Sequence, residues 1–244
     1  MSWELIYLIS GLAILPVFLI AVVISINVQV QMAKYAQVTA SGNLTGKQLV
    51  EQIAAAEHLP IRIEQAANAQ GDHYDPTSKC VRLTADNLNG SSITALAVAA
   101  HECGHALQDE QNYLPLKLRN VVVHVSNFTS RLLAPLIIFS LIASIFVATM
   151  ADYQFMKWVL LGFCIIYGCS ALLNFITLPT EFDASRRGAA LLQQLHLVET
   201  DAEKQAVRKV LKAAANTYVV AFALSLVYFL RYLSVVMIFF DRRQ

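Results

Sequence analysis

Apolar residues are concentrated in four long blocks, separated by stretches of ordinary polar composition. A helix that crosses a bilayer needs about 20 predominantly apolar residues. Four windows meet this requirement, at residues 3–28, 132–151, 155–178 and 218–240. The second and third windows are joined only by a short turn, so we expect them to form a helical hairpin. The pattern therefore predicts a mainly α-helical, polytopic membrane protein with about four transmembrane helices.

The overall composition supports a membrane protein and excludes two other classes. Of the 244 residues, 57% are hydrophobic and 14% are charged, against about 45–50% and about 25% in soluble domains. The net charge of +1 argues against a nucleic-acid partner, which requires a concentrated basic face. The four cysteines form no C-x-x-C pair, which excludes a disulfide scaffold and fits a reducing compartment.

The blocks divide the chain into five segments. Residues 1–28 could be a cleaved secretory signal or a retained transmembrane anchor. They lack the basic n-region and the cleavage site of a signal, so we expect an anchor. A polar region follows, then the hairpin, a further helix, and the fourth membrane helix with its tail. These four segments cover residues 29–131, 132–178, 179–217 and 218–244.

The orientation in the membrane follows from the Lys and Arg residues near the segment ends, because cytoplasmic loops carry an excess of them. The two polar regions should therefore be cytoplasmic and the amino terminus outside. The positive side carries Lys34, Arg131, Arg186, Arg187, Lys204, Arg208, Lys209 and Lys212, against Lys157, Arg242 and Arg243 on the other. Arg231 lies within the fourth window, where we expect it to snorkel or to be paired within the bundle.

The polar region before the hairpin combines helices with a small sheet. Thr45 begins a helix with a capping box, and Pro60 stops it. Residues 61–66 and 80–84 alternate apolar and polar side chains, which is the period of a strand. The turn-forming residues 71–76 lie between them. This arrangement predicts a small antiparallel β-hairpin or sheet.

The chemistry lies in the H-E-x-x-H motif of the next helix, at residues 101–105. His101 and His105 lie one turn apart on the same helix face, so both imidazoles can bind one tetrahedral Zn²⁺. Glu102 is rotated by about 100° from His101. Its carboxylate therefore lies beside the metal as a general base, and zinc lowers the pKa of a bound water towards about 7. The structural alternative is two hydrogen-bonded histidines on a buried helix.

A catalytic zinc needs a third protein ligand and keeps its fourth position for water. The extended motif with a glycine and a third histidine is excluded, because Gln108 and Gln111 occupy those steps. Asp109 lies too far along the helix axis to bind the same metal. His124 remains a candidate, although a histidine in an apolar run is usually a core residue.

Glu181 is the best candidate for this ligand. The hairpin returns the chain to the side that it left, which brings Glu181 back beside the H-E-x-x-H helix. We expect Pro179 to lie in the first turn of a new helix that begins after Leu178. The favourable charge of a helix start is then an alternative account of Glu181. Asp183 or Ser185 can orient a ligand imidazole.

Five blocks of sequence together resemble a known family. They are G-D-H-Y-D-P (71–76), V-R-L-T (81–84), A-V-A-A-H-E-C-G-H-A-L-Q (97–108), L-P-T-E-F-D-A-S-R-R (178–187) and T-Y-V (217–219). They resemble the YugP-like family of bacterial membrane-bound neutral zinc metallopeptidases over nearly the whole chain. The resemblance implies a small α+β gluzincin-like catalytic region, with His101, His105 and Glu181 as ligands to one catalytic zinc and Glu102 as the base. Cys103 departs from the family, where an aliphatic residue is expected.

These features predict a membrane-embedded zinc metalloendopeptidase. We expect the substrate backbone to lie along the edge of the strand at 80–84 by β-augmentation. Glu102 then activates the attacking water and passes its proton to the leaving amine. The oxyanion needs a donor beyond zinc, and the candidates are His73, Tyr74, His124, Arg187 and Tyr218.

Two other functions compete with this prediction. A site-2-type intramembrane protease would carry H-E-x-x-H inside a spanning helix, and a non-catalytic zinc-binding scaffold or chaperone would need no base. The expected partners are a polypeptide substrate, which can itself be a membrane protein, and the lipid bilayer. The expected location is the inner membrane of a bacterial cell, with the active site facing the cytoplasm. The sequence carries no signal for the oligomeric state.

Overall fold

The computed structural model describes residues 2–67, 71–121 and 153–241. The chain is mainly helical, with one small sheet. Its helices are α1 (Trp3–Ala36), α2 (Gly46–Ala56), α3 (Ala85–Asn89), α4 (Ile93–Glu110), α5 (described over 114–121), α6 (Tyr153–Gln194) and α7 (Asp201–Asp241). Its strands are β1 (Arg62–Gln65), β2 (His73–Asp75) and β3 (Cys80–Leu83).

Three of the described helices are long and apolar enough to cross a membrane: α1, α6 and α7. They contain the first, third and fourth windows of the sequence analysis. The second window, at residues 132–151, lies outside the described residues. Within the described part of the chain the structure therefore supports three candidate membrane helices, not four.

The expected helix boundaries at residues 178 and 218 are wrong. Helix α6 runs through Pro179 without a break, and α7 is continuous from Asp201 through residue 218. An internal proline removes one backbone hydrogen bond, but packing against neighbouring helices lets long helices tolerate this loss. Near residues 178 and 218 the composition changes between apolar and polar. This change alters the environment of each helix, but the helix itself continues. Glu181 consequently lies inside a helix, which removes the helix-start account of its charge.

Two compact units can be distinguished, and each is described by itself. The first comprises residues 1–22, 118–176 and 219–244, as far as they are described. Within it, Tyr167 of α6 stacks on Tyr228 and Tyr232 of α7, with ring centroids 5.1 and 5.3 Å apart. Arg231 donates to the hydroxyl of Tyr7 at 3.0 Å, with its guanidinium 4.3 Å from the ring centroid. The Arg231 guanidinium is thus held between α7 and α1 by a hydrogen bond and a cation–π contact.

The second unit comprises residues 23–117 and 177–218 and contains the polar regions. Its core is built around α4, which packs against α2, α3 and the sheet. Leu49, Ile53, Leu83, Leu96 and Leu192 are fully buried there. The capping box expected at Thr45 is present, and Ser92 caps α4 through a bond to the backbone N–H of Ala95.

The sheet differs from the expected antiparallel hairpin. Its strand order is β1-β3-β2, with β1 parallel to β3 and β2 antiparallel to β3. Residues 73–75, expected to be part of a turn, form the extra strand β2. Because a short β2–β3 hairpin follows β1, the chain reverses direction twice before β3, which makes β1 and β3 parallel. Strand β3 is therefore central, so the expected free edge at 80–84 is wrong.

Candidate metal centre

Helix α4 presents two imidazoles on one face. The ring centroids of His101 and His105 are 4.7 Å apart, with their planes at 82°. His105 is buried, and the side chain of His101 is 18% exposed. The pair therefore lies at the edge of the core, where solvent still reaches one of its rings.

Glu181 of α6 completes a cluster with these two histidines. Its Oε2 atom lies 3.3 Å from Nε2 of His101 and 3.7 Å from Nε2 of His105, and the carboxylate is 1% exposed. The three potential ligand atoms lie within 4.8 Å of one another. Two imidazole nitrogens and one carboxylate oxygen are a donor set that catalytic zinc sites use, with an open fourth position. The residues present therefore fit a zinc ion.

A close crossing of α4 and α6 brings these ligands together. A Cβ atom added at Gly104 would lie 2.3 Å from the carbonyl oxygen of Ala184, and one added at Gly188 would lie 2.6 Å from that of Ala100. Each helix thus places a glycine against the backbone of the other. Any larger residue at either glycine would hold the helices apart and move Glu181 away from the imidazoles.

The other ring nitrogens of the two histidines are held by hydrogen bonds. Nδ1 of His101 lies 3.1 Å from Oγ of Ser185, and Nδ1 of His105 lies 3.0 Å from Oε1 of Gln108. An amide oxygen only accepts, so Nδ1 of His105 carries the proton and Nε2 keeps its lone pair. Such partners orient a ligand imidazole and increase its basicity.

Gln108 is itself held by the helix that carries Glu181. Its Nε2 atom donates to the carbonyl oxygen of Thr180 at 2.8 Å and to Oδ2 of Asp183 at 3.0 Å. Gln108 is fully buried. Asp183 therefore acts on His105 through Gln108, whereas Ser185 contacts His101 directly. The sequence analysis noted Gln108 only as a departure from another motif. Its position one turn after His105 was the signal that could have identified it.

Glu102 lies beside the cluster in a buried position. Burial raises the pKa of Glu102 to about 7, and the charge of Glu181 adds to this effect, whereas His101 and the backbone N–H of Tyr74 oppose it. A carboxylate is most effective as a general base when its pKa lies near the working pH. A carboxyl group with this pKa can exchange a proton near neutral pH.

These residues line one cavity of about 180 Å³. His101, Glu102 and Glu181 contribute to its wall, together with Tyr218 of α7 and Asp72. Tyr218 is the one oxyanion candidate that lines the cavity among the described residues. Asp72 was missed by the sequence analysis, although it lies in the block at 71–76.

The other oxyanion candidates are held elsewhere or lie outside the described residues. Nδ1 of His73 contacts the carbonyl oxygen of Gly71 at 2.8 Å, and the Tyr74 hydroxyl donates to Asp109 at 2.8 Å. Arg187 bonds to Asp183 and to Gln111, and its guanidinium lies over the ring of Tyr113. His124 lies outside the described residues.

A helical protein with three candidate membrane helices and a His₂Glu cluster beside a buried glutamate has the features of a membrane zinc metallopeptidase. The chain belongs to the family described as "Putative neutral zinc metallopeptidase", whose model matches residues 10–237. It is 36% identical over 226 residues to "Putative membrane protease YugP" of Bacillus subtilis, covering 89% of this chain and 91% of that protein. No solved structure matches the chain.

Proposed function

We propose that the chain is a membrane-embedded zinc metalloendopeptidase with a gluzincin-like site. The observation that carries this proposal is the convergence of His101, His105 and Glu181 within 4.8 Å of one another, beside the buried carboxyl of Glu102. In this proposal the three residues hold a single zinc ion. When bound, the ion supplies Lewis acidity to the scissile carbonyl and to water.

The protein's own residues carry the proton transfers. Glu102 takes a proton from the attacking water and later gives it to the leaving amine, for which a pKa near 7 is well suited. Ser185 and Gln108 keep the ligand imidazoles in place. The hydroxyl of Tyr218, on the wall of the same cavity, is our candidate donor to the oxyanion.

The substrate backbone would pair with β2. This strand lies at an edge of the sheet and packs against α4. The backbone of its Tyr74 lies close enough to Glu102 to lower the pKa of that residue, so a peptide along this edge would pass close to the general base. Main-chain pairing of this kind binds the backbone of a polypeptide substrate and leaves the choice of side chains to neighbouring pockets.

We further propose a multi-pass protein of the bacterial inner membrane, with the site facing the cytoplasm. Support comes from α1, α6 and α7, from the second apolar window at 132–151 and from the Lys and Arg residues of the polar segments. Helix α4 is not among the described helices that are apolar enough to span. This argues against a site-2-type enzyme with its motif inside the bilayer.

Replacement of the general base tests the function. Glu102→Gln should retain zinc but lose cleavage of casein or of a labelled peptide by at least about 100-fold. Glu110→Gln, which changes an exposed residue of the same helix, should cleave as the unmodified protein does. Unchanged cleavage in Glu102→Gln would refute the mechanism. A zinc-binding scaffold or chaperone would instead keep its cellular phenotype in that variant.

A further inference from the structure

A second cavity, which the proposed chemistry does not use, lies between α6 and α7. It has a volume of about 590 Å³ and is called here the basic groove. Its walls combine apolar and cationic side chains, namely Phe182, Arg186, Arg208, Leu211 and Lys212, with Ser185, Gln193 and small residues. No carboxylate lines it among the described residues.

The basic groove lies next to the cavity of the candidate metal centre. Ser185 lines both the groove and the smaller cavity that contains His101, Glu102 and Glu181. Leu211 and Ala215 are also shared by the two cavities. A substrate residue next to the scissile bond could therefore lie beside the groove.

The charge in the groove comes mainly from α7. Arg208 and Lys212 lie one turn apart on this helix and are exposed, and neither has an ion-pair partner among the described residues. Arg186 contributes less free charge, because its guanidinium binds Asp183. Two unpaired cations above an apolar floor are complementary to a carboxylate side chain on an otherwise ordinary peptide.

We propose that the basic groove binds an acidic residue of the substrate close to the scissile bond. The enzyme would then favour polypeptides with Glu or Asp on the side of the bond that enters the groove. This inference rests on the proposed peptidase function and names its substrate class. Ser185 lines the groove and also contacts His101, and this closeness to the metal centre favours a substrate segment over an anionic lipid headgroup as the occupant.

Peptide binding without turnover tests the proposal. Full-length Glu102→Gln protein, loaded with zinc in phosphatidylcholine nanodiscs, is titrated with labelled peptides of equal length. These peptides differ only in Glu or Gln at successive positions. At the favoured position the Glu peptide should bind about three- to tenfold more tightly than the Gln peptide, as expected for two exposed charge pairs. Adding Arg208→Gln and Lys212→Gln should abolish this ratio.

Lys209→Gln is the matched control, because it removes one cation from the same helix but lines a different cavity. It should preserve the ratio. The proposal is overturned if no position discriminates, if neither peptide binds, or if the control loses the ratio as fully as the double variant. It is also overturned if the double variant alters only binding to phosphatidylglycerol vesicles. If discrimination is present but the unmodified protein never cleaves these peptides, the groove stands and the peptidase function fails.

Discussion

The distance between Glu181 and the two imidazoles should depend on the absence of a side chain at Gly104, where α4 crosses α6. In Gly104→Ala the new Cβ would lie 2.3 Å from the carbonyl oxygen of Ala184. Carbon–oxygen contacts in packed proteins lie at about 3.3–3.6 Å. Backbone cannot rotate away as a side chain can, so the two helices must separate locally by roughly 1 Å.

This separation should affect zinc binding more than stability. Overpacking costs about 1–3 kcal/mol, but alanine in place of glycine recovers about 1 kcal/mol of helix propensity. The free energy of unfolding should therefore fall by no more than about 2 kcal/mol. Metal ligands, in contrast, tolerate deviations of only about 0.2 Å. Since Glu181 lies one turn before Ala184, we expect zinc affinity to fall by at least about tenfold.

The assay is competition for zinc with a chromophoric chelator, together with thermal unfolding of the purified protein in detergent. Gly71→Ala is the control, because an added Cβ there meets no atom within 4 Å. Gly188→Ala should give a smaller loss than Gly104→Ala, since its closest contact is 2.6 Å rather than 2.3 Å. If Gly104→Ala binds zinc as tightly as the unmodified protein, the helix crossing does not set the ligand spacing.

Three further predictions follow from the described contacts. Gln108→Leu should lower zinc affinity by about 10- to 100-fold because one ligand imidazole loses its acceptor; unchanged affinity in the competition assay would contradict this role. Gln108→Glu should not restore the affinity, because its second carboxylate oxygen would face the carbonyl oxygen of Thr180 and the carboxylate of Asp183. Tyr218→Phe should lower kcat by about 100-fold with little change in KM if its hydroxyl stabilises the oxyanion; equal kcat values would exclude that role. Hydrogen bonds from Ser78 and Arg82 hold the pKa of Asp75 well below its usual range. The folded carboxylate thus stabilises the protein above its unfolded pKa of about 3.9, and this contribution disappears as the pH falls further. Asp75→Asn should therefore cost about 1 kcal/mol at neutral pH and flatten the decline of Tm in acid; an unchanged decline would contradict this.

The local features of the chain could be predicted because they depend on neighbouring residues. The capping box at Thr45 and the helical spacing of H-E-x-x-H act within one or two turns, so sequence alone defines them. The proximity of Glu181 to the motif was predicted from an expected hairpin, since an even number of crossings would return the chain to the same side. The structure brings Glu181 within 3.3 Å of His101, although the second window lies outside the described residues.

The remaining features depend on contacts between distant parts of the chain. The role of Gln108 depends on partners 72 and 75 residues away, and no local pattern indicates them. The direction of β1 was misjudged because residues 73–75 form a strand of only three residues, too short to show a period. Pro179 was taken as a helix start because proline usually begins or breaks helices, whereas here it lies inside a helix of 42 residues.

One face of α6 supplies the third ligand of the candidate centre and the contacts that place it against α4. Glu181, Ala184, Ser185 and Gly188 follow one another at spacings of three, one and three residues, so they form a single stripe along the helix. Glu181 is the ligand, and Ser185 is the hydrogen-bond partner of His101. Ala184 and Gly188 make the two close backbone contacts with α4. Sites built on packed helices hold their geometry better than sites on loops. The small residues of the stripe should consequently matter for metal binding as much as the polar ones, which makes the interleaved pattern, rather than H-E-x-x-H alone, the functional unit of this site.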